Sequence, residues 1–478
     1  MLILDSSWEP RPDSARPLSR HCILARDPFA VLTAWGSHAV LDWEGGRQEH
    51  GETFSLLSRM LLDFELTGED SPTPFPAGAM GYFGYELKST LEAVPSSLPA
   101  DLDMPDVWLA FFDSAVTLDL EENLLHITST GLPQRGAAAR KRAVRRAEDL
   151  RVQLFDPASP ADGFEKSIEK GSPTHSQGGV GFQAGSNFSR EDYLGAIRRI
   201  KEHIAAGDIY QANLSQRFKR PFRGNSFDLF LDLRMRTPAP FSAYLDARDF
   251  SIVSASPERF LHFDPQSRLV STRPIKGTRP RGATPSLDRS LARELAASEK
   301  DHAEHVMIVD LERNDLGRVA QFGSVRVPEF AVVETFPAVF HLTSTVEALL
   351  SPEKDAVDFM KAAFPGGSVT GAPKIRSMEI IEQVETVRRG AYTGALGYFS
   401  FSGEVDLNIL IRTICTQAGV ASLHSGSAIV ADSDPESEYQ ETLLKAQALS
   451  QALDCSGGVA HSPSTCQANV SQAVSKLA

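Results

Sequence analysis

Ala391–Ile414 reads AYTGALGYFSFSGEVDLNILIRTI. Two runs rich in aromatic and branched residues flank Ser402-Gly403-Glu404, a pattern that predicts a β-hairpin with antiparallel arms. The second arm ends at Arg412. A guanidinium carried out of an apolar strand needs an anionic partner, and its fork matches a carboxylate. An ion pair within the chain or a bound carboxylate would each supply one.

Working outward, DPESEYQETLLKAQAL predicts a helix starting near Asp434-Pro435, with Glu438, Glu441 and Lys445 on one face. A Glu441–Lys445 pair on a solvated helix accounts for that face. So does a magnesium site drawing hard carboxylate oxygens from this helix and from a second one carrying Glu304, in DHAEHVMIVDLERND. On the other side of the hairpin, APKIRSMEIIEQVE and the long SLDRSLARELAASEKDHAEHVMIVDLERNDLGR are each read as one helix. FSAYLDA, FSIVSAS and RLVSTRP are read as strands. SREDYLGAIRRIKEHIAAGD has a helix cap at Ser189 and a stop at Gly207.

Residues 1–153 mix short apolar runs with turns and close on ARKRAVRRAEDLRVQLF, the pattern of a solvated helix. In that region PAGAMGYFGYE is read as a tight strand turn with packed rings. Residues 154–188 are rich in Ser, Gly and Pro and read as a linker; 189–453 form the second region; 454–478 are polar and expected to be a disordered tail.

A hydrophobic fraction of 42% supports a large core, and a formal charge of -14 excludes a nucleic-acid or anionic-membrane surface built on clustered cations. Four scattered cysteines have neither metal nor disulfide spacing, and no run approaches a membrane span. The expectation is a cytoplasmic enzyme acting on small molecules. PGGSVTGAPK places Ala372-Pro373 where a phosphate loop needs lysine, and DHAEH lacks the zinc-protease order.

Three further residues stand in informative places. His341 has apolar neighbours on both sides, Glu258 ends a strand beside Pro257, and Lys276 sits between Ile275 and Gly277 in RPIKGTRPRG. A core histidine, an innocuous carboxylate and a turn lysine are the plain readings; proton handling and nucleophilic chemistry are the functional ones.

Taken together, GDIYQANLSQRF, SASPERFL, RPIKGTRPRG, EHVMIVDLERNDLGR, FHLTSTVEALL, FPGGSVTGAPKIRSMEIIE, GALGYFSFSGEVDLNILIRT and IVADSDPESEYQETLLKA resemble, in order, the motifs of the chorismate-utilising enzymes. The resemblance runs from about Ser189 to Leu453, and GAMGYFGYE resembles the amino-terminal extension of the aminating branches. It implies an α+β fold: a large sandwich of two antiparallel sheets flanked by helices, with the active site in a cleft of the carboxyl-terminal half. It implies Mg2+ held by Glu304 and Glu441, with Glu438 assisting through water. Arg412, Tyr398, Ser368, Lys445 and the backbone at Gly426 resemble groups that hold the carboxylates of chorismate. His341 and Thr278 match active-site positions, and Glu258 resembles the acid that protonates the departing 4-hydroxyl. The family's glycine-rich turn reads Ser425-Gly426-Ser427-Ala428 here, which puts its backbone contacts in question.

Two positions separate the branches. Where water-adding members carry a lysine base, this chain has Gln211, so the resemblance implies ammonia as the nucleophile. Anthranilate-forming members typically read PIAGT where this chain reads PIKGT, so Lys276 points to the branch that makes 4-amino-4-deoxychorismate, with anthranilate formation as the alternative. No cysteine lies in a GxCxG elbow. Ammonia is therefore expected from a separate glutamine amidotransferase subunit.

Overall fold

The computed structural model describes residues 1–6, 18, 20–66, 71–155, 185–336 and 339–456. The hairpin forms as its sequence predicts: Ala395–Ser400 pairs antiparallel with Val405–Ile409, from Phe399 opposite Val405 to Ala395 opposite Ile409. Gly403 takes φ 98° in the connection, a conformation that only glycine adopts cheaply.

This hairpin is the middle of a large antiparallel sheet. Val405–Ile409 continues through Arg259–Asp264 and Leu269–Arg273 to Val339–Leu349, which pairs with Ile275–Pro280 and Arg326–Thr335. On its other side Ala395–Ser400 pairs with Gly78–Phe83, followed by Val107–Phe112, Ala30–Trp35, His38–Trp43 and Gln48–Glu52. Gly78–Phe83 within PAGAMGYFGYE is therefore a fully buried central strand rather than a turn. Its glycines serve close approach: a Cβ on Gly81 would stand 2.0 Å from the Trp108 carbonyl.

The second sheet runs from Gly185–Ser186 through Gln211–Pro221, Val420–Ile429, Thr413–Gln417, Phe250–Ser256 and Phe241–Asp246 to Leu2–Asp5, His21–Ala25, Ser114–Asp119 and Leu124–Ser129. Both sheets thus contain strands from before residue 153 and after residue 189, and the two regions read from sequence are interleaved in one sandwich. The segment read as a linker lies largely outside the described residues. The last helix, Pro435–Ser456, enters the segment read as a tail, and the remainder lies outside them too.

Strand alternation decides what each sheet buries. Leu396 and Tyr398 point into the layer between the sheets with Tyr82, Leu245 and Phe250, whereas Ala395 and Phe399 point outward to a second core under the helices Thr53–Asp63, Glu299–Gly317 and Ala356–Ala363. The other sheet is covered by Ser226–Arg236 and Pro435–Ser456 on one part and by Arg190–Ala205 and Lys374–Val384 on another. Ser189 caps Arg190–Ala205, accepting from the Asp192 N–H. Gly136–Phe155 buries only Leu150, as a solvated helix should.

The long run from Ser286 to Arg318 is two helices. Pro285–Ala296 stops at Ala297, and Ser298 starts Glu299–Gly317 by accepting from the Asp301 N–H. A serine followed by acidic residues is a cap signal, and here it wins over the continuous helical pattern.

Candidate active site

Lys276 is delivered by the strand Ile275–Pro280, where it pairs with Leu342 while Thr278 pairs with His341. Its surface is partly open, yet its ammonium sits deep among protein groups and donates to the Ser368 carbonyl at 3.3 Å. Desolvation lowers its pKa; Glu304, Glu258 and Glu441 oppose that shift and Lys445 adds to it. These named charges place the strand lysine between carboxylates of two helices, Glu299–Gly317 and Pro435–Ser456.

Glu258 is buried and accepts from the Ile275 N–H at 3.4 Å. Burial pushes its carboxyl up to about 7, against the pull of Ser368, Lys276 and that N–H. An acid with this pKa keeps much of its proton at neutral pH, as a general acid must.

His341 is buried, its Nδ1 2.9 Å from Thr278 Oγ1 and its ring edge-on to Phe336. Burial, with Arg412 and Lys445 nearby, pushes its pKa down to about 3. It is therefore neutral, and its Nε2 has no partner among the described residues.

Arg412, at φ 51°, has no ion pair or side-chain hydrogen bond among the described residues; desolvation alone lowers its pKa. Of the two readings open at the sequence level, the internal ion pair does not form among the described residues. A partly buried, desolvated guanidinium with no carboxylate partner among the described residues has the form of an anion site.

Gln211 is fully buried with both amide atoms unpartnered. Its strand, Gln211–Pro221, pairs with Val420–Ile429, so Ser425-Gly426-Ser427-Ala428 is strand and not the turn expected. Gly426 stands opposite Ser215, where a Cβ would approach the Leu214 carbonyl to 2.6 Å. Its own carbonyl accepts from Lys445 Nζ at 3.2 Å.

The three glutamates differ. Glu304 is about one-fifth exposed, and burial raises its pKa, with Lys276 opposing and Asp301 and Glu438 adding to the shift. Glu438 is buried and accepts from Ser433 Oγ at 2.7 Å. Glu441 is half exposed and paired with Lys445 at 2.6 Å, the solvated-helix pair foreseen from the spacing. Among the described residues no three His, Cys, Asp or Glu side chains already converge on one point. Mg2+ does not require that, since one or two carboxylates suffice when substrate and water complete the shell. Glu304, raised by burial with a smaller push from Glu438 across the cleft, offers a hard carboxylate oxygen of the kind a divalent cation takes.

Tyr398 is not brought to this cleft. Its hydroxyl donates to Glu404 at 2.9 Å, it packs edge-on to Phe75, and it lines the cavity between the sheets. The cause is the period of two, which turns Tyr398 with Leu396 and away from Ala395. Reading the residues without their face missed two buried groups. Asn213, two positions after Gln211 on the same strand face, donates to the Ser368 carbonyl at 3.4 Å. Glu312 is buried in Glu299–Gly317 with Oε2 unpartnered, its pKa raised by burial and by Asp315. The alternation of GDIYQANLSQ pointed to Asn213; nothing local marked Glu312.

The sequence profile of chorismate binding enzymes matches residues 18–451, and the chain belongs to that family. It is 40% identical over 443 residues to aminodeoxychorismate synthase component 1 of Escherichia coli K12, covering 92% of this chain and 91% of that protein. It is 43% identical over 382 residues to anthranilate synthase component 1 of Thermus thermophilus, covering 80% and 78%. The structure resembles anthranilate synthase component I from Streptococcus pneumoniae TIGR4 with a TM-score of 0.78 and 32% identity over 91% of this chain and 93% of that one.

Proposed function

We propose that this chain catalyses the aminodeoxychorismate synthase component 1 reaction, chorismate plus ammonia giving 4-amino-4-deoxychorismate and water. The observation that carries the choice between branches is Lys276, whose amine lies in a buried cleft beside the raised acid Glu258. An anthranilate-forming reading draws on the Thermus thermophilus relative, but that reaction gives such an amine no task.

Neutral Lys276 attacks C2 of the ring, the two ring double bonds shift, and the bond from C4 to its hydroxyl breaks as Glu258 protonates the departing oxygen. The lysine nitrogen then carries a positive charge. Ammonia bonds to C4, the double bonds shift back, and the C2–Nζ bond breaks with its electron pair returning to Lys276. The positive charge passes to the new nitrogen, so atoms and charge balance. Arg412 supplies the fork for a substrate carboxylate, and neutral His341 offers its free Nε2 as an uncharged partner to the ring. Thr278 fixes the orientation of that imidazole. Mg2+ held by Glu304 and Glu441, with Glu438 behind them, would neutralise substrate charge and orient the ring. Lys445 and the backbone at Gly426, joined to Glu441 by hydrogen bonds, stand ready for the other carboxylate.

The ammonia would come from a separate glutamine amidotransferase, in the cytoplasm and in service of p-aminobenzoate and folate synthesis. Among the described residues no helix is long and apolar enough to cross a membrane. The test is mass spectrometry of the products formed from chorismate, Mg2+ and ammonium, with Lys276→Ala alongside. We expect aminodeoxychorismate from the parent chain and a loss of about a hundredfold or more in the variant. Anthranilate as the main product, or an unchanged rate in the variant, overturns the reading.

A further inference from the structure

In the strand Gln211–Pro221, alternate residues face opposite ways. Ala212 and Leu214 enter a core under Arg190–Ala205 and Lys374–Val384, leaving Gln211, Asn213 and Ser215 on the other face. Ser215 on that face is satisfied, its hydroxyl and its N–H both donating to Glu385. Asn213 is not: its Nδ2 donates to the Ser368 carbonyl, which fixes the amide so that Oδ1 is the free atom, and Oδ1 is buried with no partner among the described residues. The same Ser368 carbonyl accepts from Lys276 Nζ. Two side-chain nitrogens within 3.4 Å of one oxygen are close enough for a single small molecule to touch both residues.

We propose that Asn213 is the seat of the incoming ammonia, its Oδ1 accepting an N–H and thereby turning the nitrogen lone pair toward C4. The inference rests on the amination reading and deepens it. Ammonia has three donors and one lone pair, so a site that orients it must take up the N–H groups with acceptors and leave the lone pair free. An amide oxygen does this without removing a proton, as a carboxylate would. The Oδ1 of Asn213 and the Ser368 carbonyl beside it both become stronger partners as positive charge moves from Lys276 Nζ to the new nitrogen, and fixed dipoles aimed at developing charge lower the barrier. Water at the same place would gain less, because it has one donor fewer to offer these acceptors. Asn213 is thereby a determinant of nucleophile choice as well as of ammonia affinity.

The experiment uses the full chain with Asn213→Leu, which keeps the shape and removes the amide, and Asn213→Ala. Ammonium chloride is the nitrogen source, at saturating chorismate and Mg2+. The KM for ammonium should rise about tenfold or more, with a larger share of any hydroxylated product, while chorismate KM stays within about twofold of the parent and the thermal midpoint holds. An unchanged ammonium KM overturns the proposal, as does a parallel loss of chorismate affinity, which would make Asn213 a prop for the Ser368 segment. Should Asn213→Leu fail to fold, Asn213→Ala carries the same comparison. Failure of the amination reading shows separately, as anthranilate or no aminated product from the parent chain.

Discussion

The cavity between the sheets and the cleft around Lys276 are both rich in buried polar groups, and they differ in how those groups are satisfied. The cavity, about 1230 Å³, is walled by pairs: Arg259 bidentate to Asp406, Arg273 with Glu329 and Glu334, Arg234 with Asp5, Arg326 with Glu347. Among the described residues, single atoms there such as Arg273 Nε and Glu334 Oε2 lack a partner. In the cleft around Lys276 the unanswered groups among the described residues are the Arg412 guanidinium and both ends of the Gln211 amide, with His341 Nε2, Ser368 Oγ and Asn213 Oδ1 as single atoms. A leftover buried polar group costs about 1–3 kcal/mol, so a cluster of them is kept for something that binds. Paired charges mark the cavity wall, and unsatisfied chemistry points to the cleft.

The largest break in this contrast is expected at Glu258. Glu258→Gln keeps the shape and removes the proton, and should lower kcat by about a hundredfold or more. The pH profile sharpens the assignment. The folded carboxyl titrates near 7, above its ordinary 4.5, so the active protonated form is lost as pH rises through about 7 and kcat/KM should fall there. The same sign governs stability: the buried proton stabilises the fold fully below about 4.5, and that contribution disappears as pH rises through about 7. In Glu258→Gln both the falling limb and that slope of stability should vanish. A limb near 7 that persists in the variant would move the acid role elsewhere, with Glu312 the next buried carboxyl.

How much of this was legible in the sequence depends on the distance over which each feature is decided. The hairpin around Gly403, the cap at Ser189 and the solvated helix Gly136–Phe155 are local and read directly. The break at Ser298 was local as well, but a continuous apolar period hid it. Interleaving of the two regions was not legible, because Leu2–Asp5 finds its partner in Phe241–Asp246, more than two hundred residues away. Tyr398 was placed in the cleft because a motif gives a residue and not its face. Arg412 could be marked as a cation needing an anion, whereas the absence of an internal partner is a property of everything packed around it.

A pair of substitutions should separate the two regions at an intermediate scale. Arg412→Met removes a cation with no protein partner among the described residues, so chorismate KM should rise about tenfold to a hundredfold, the worth of charge-assisted hydrogen bonds, while the thermal midpoint holds or rises. Asp406→Leu in the cavity wall strips Arg259 of its carboxylate and should cost about 1–3 kcal/mol of stability, with kcat and KM unchanged. Thermal and denaturant unfolding with steady-state kinetics on both variants read stability, kcat and KM. If Arg412→Met is destabilised while chorismate KM holds, the cleft is satisfied by the protein after all and the contrast fails.

The smallest effect is expected at Ala428. This residue lies inside the strand Val420–Ile429 directly opposite Asn213, with Gly426 opposite Ser215 two places earlier. Directly paired residues share a face, so the Ala428 methyl stands beside Asn213, and its φ is not among the positive ones that would demand glycine. Strain is therefore not the issue, and the backbone of this strand stays in the ladder whether Ala or Gly is present. Ala428→Gly should leave chorismate KM within about twofold and cost up to about 1 kcal/mol of stability through lost strand order. Ammonium KM is the discriminating readout: a change confined to it would mean that the methyl group helps hold the Asn213 amide in place, whereas a rise in chorismate KM would return the role to the backbone of the glycine position.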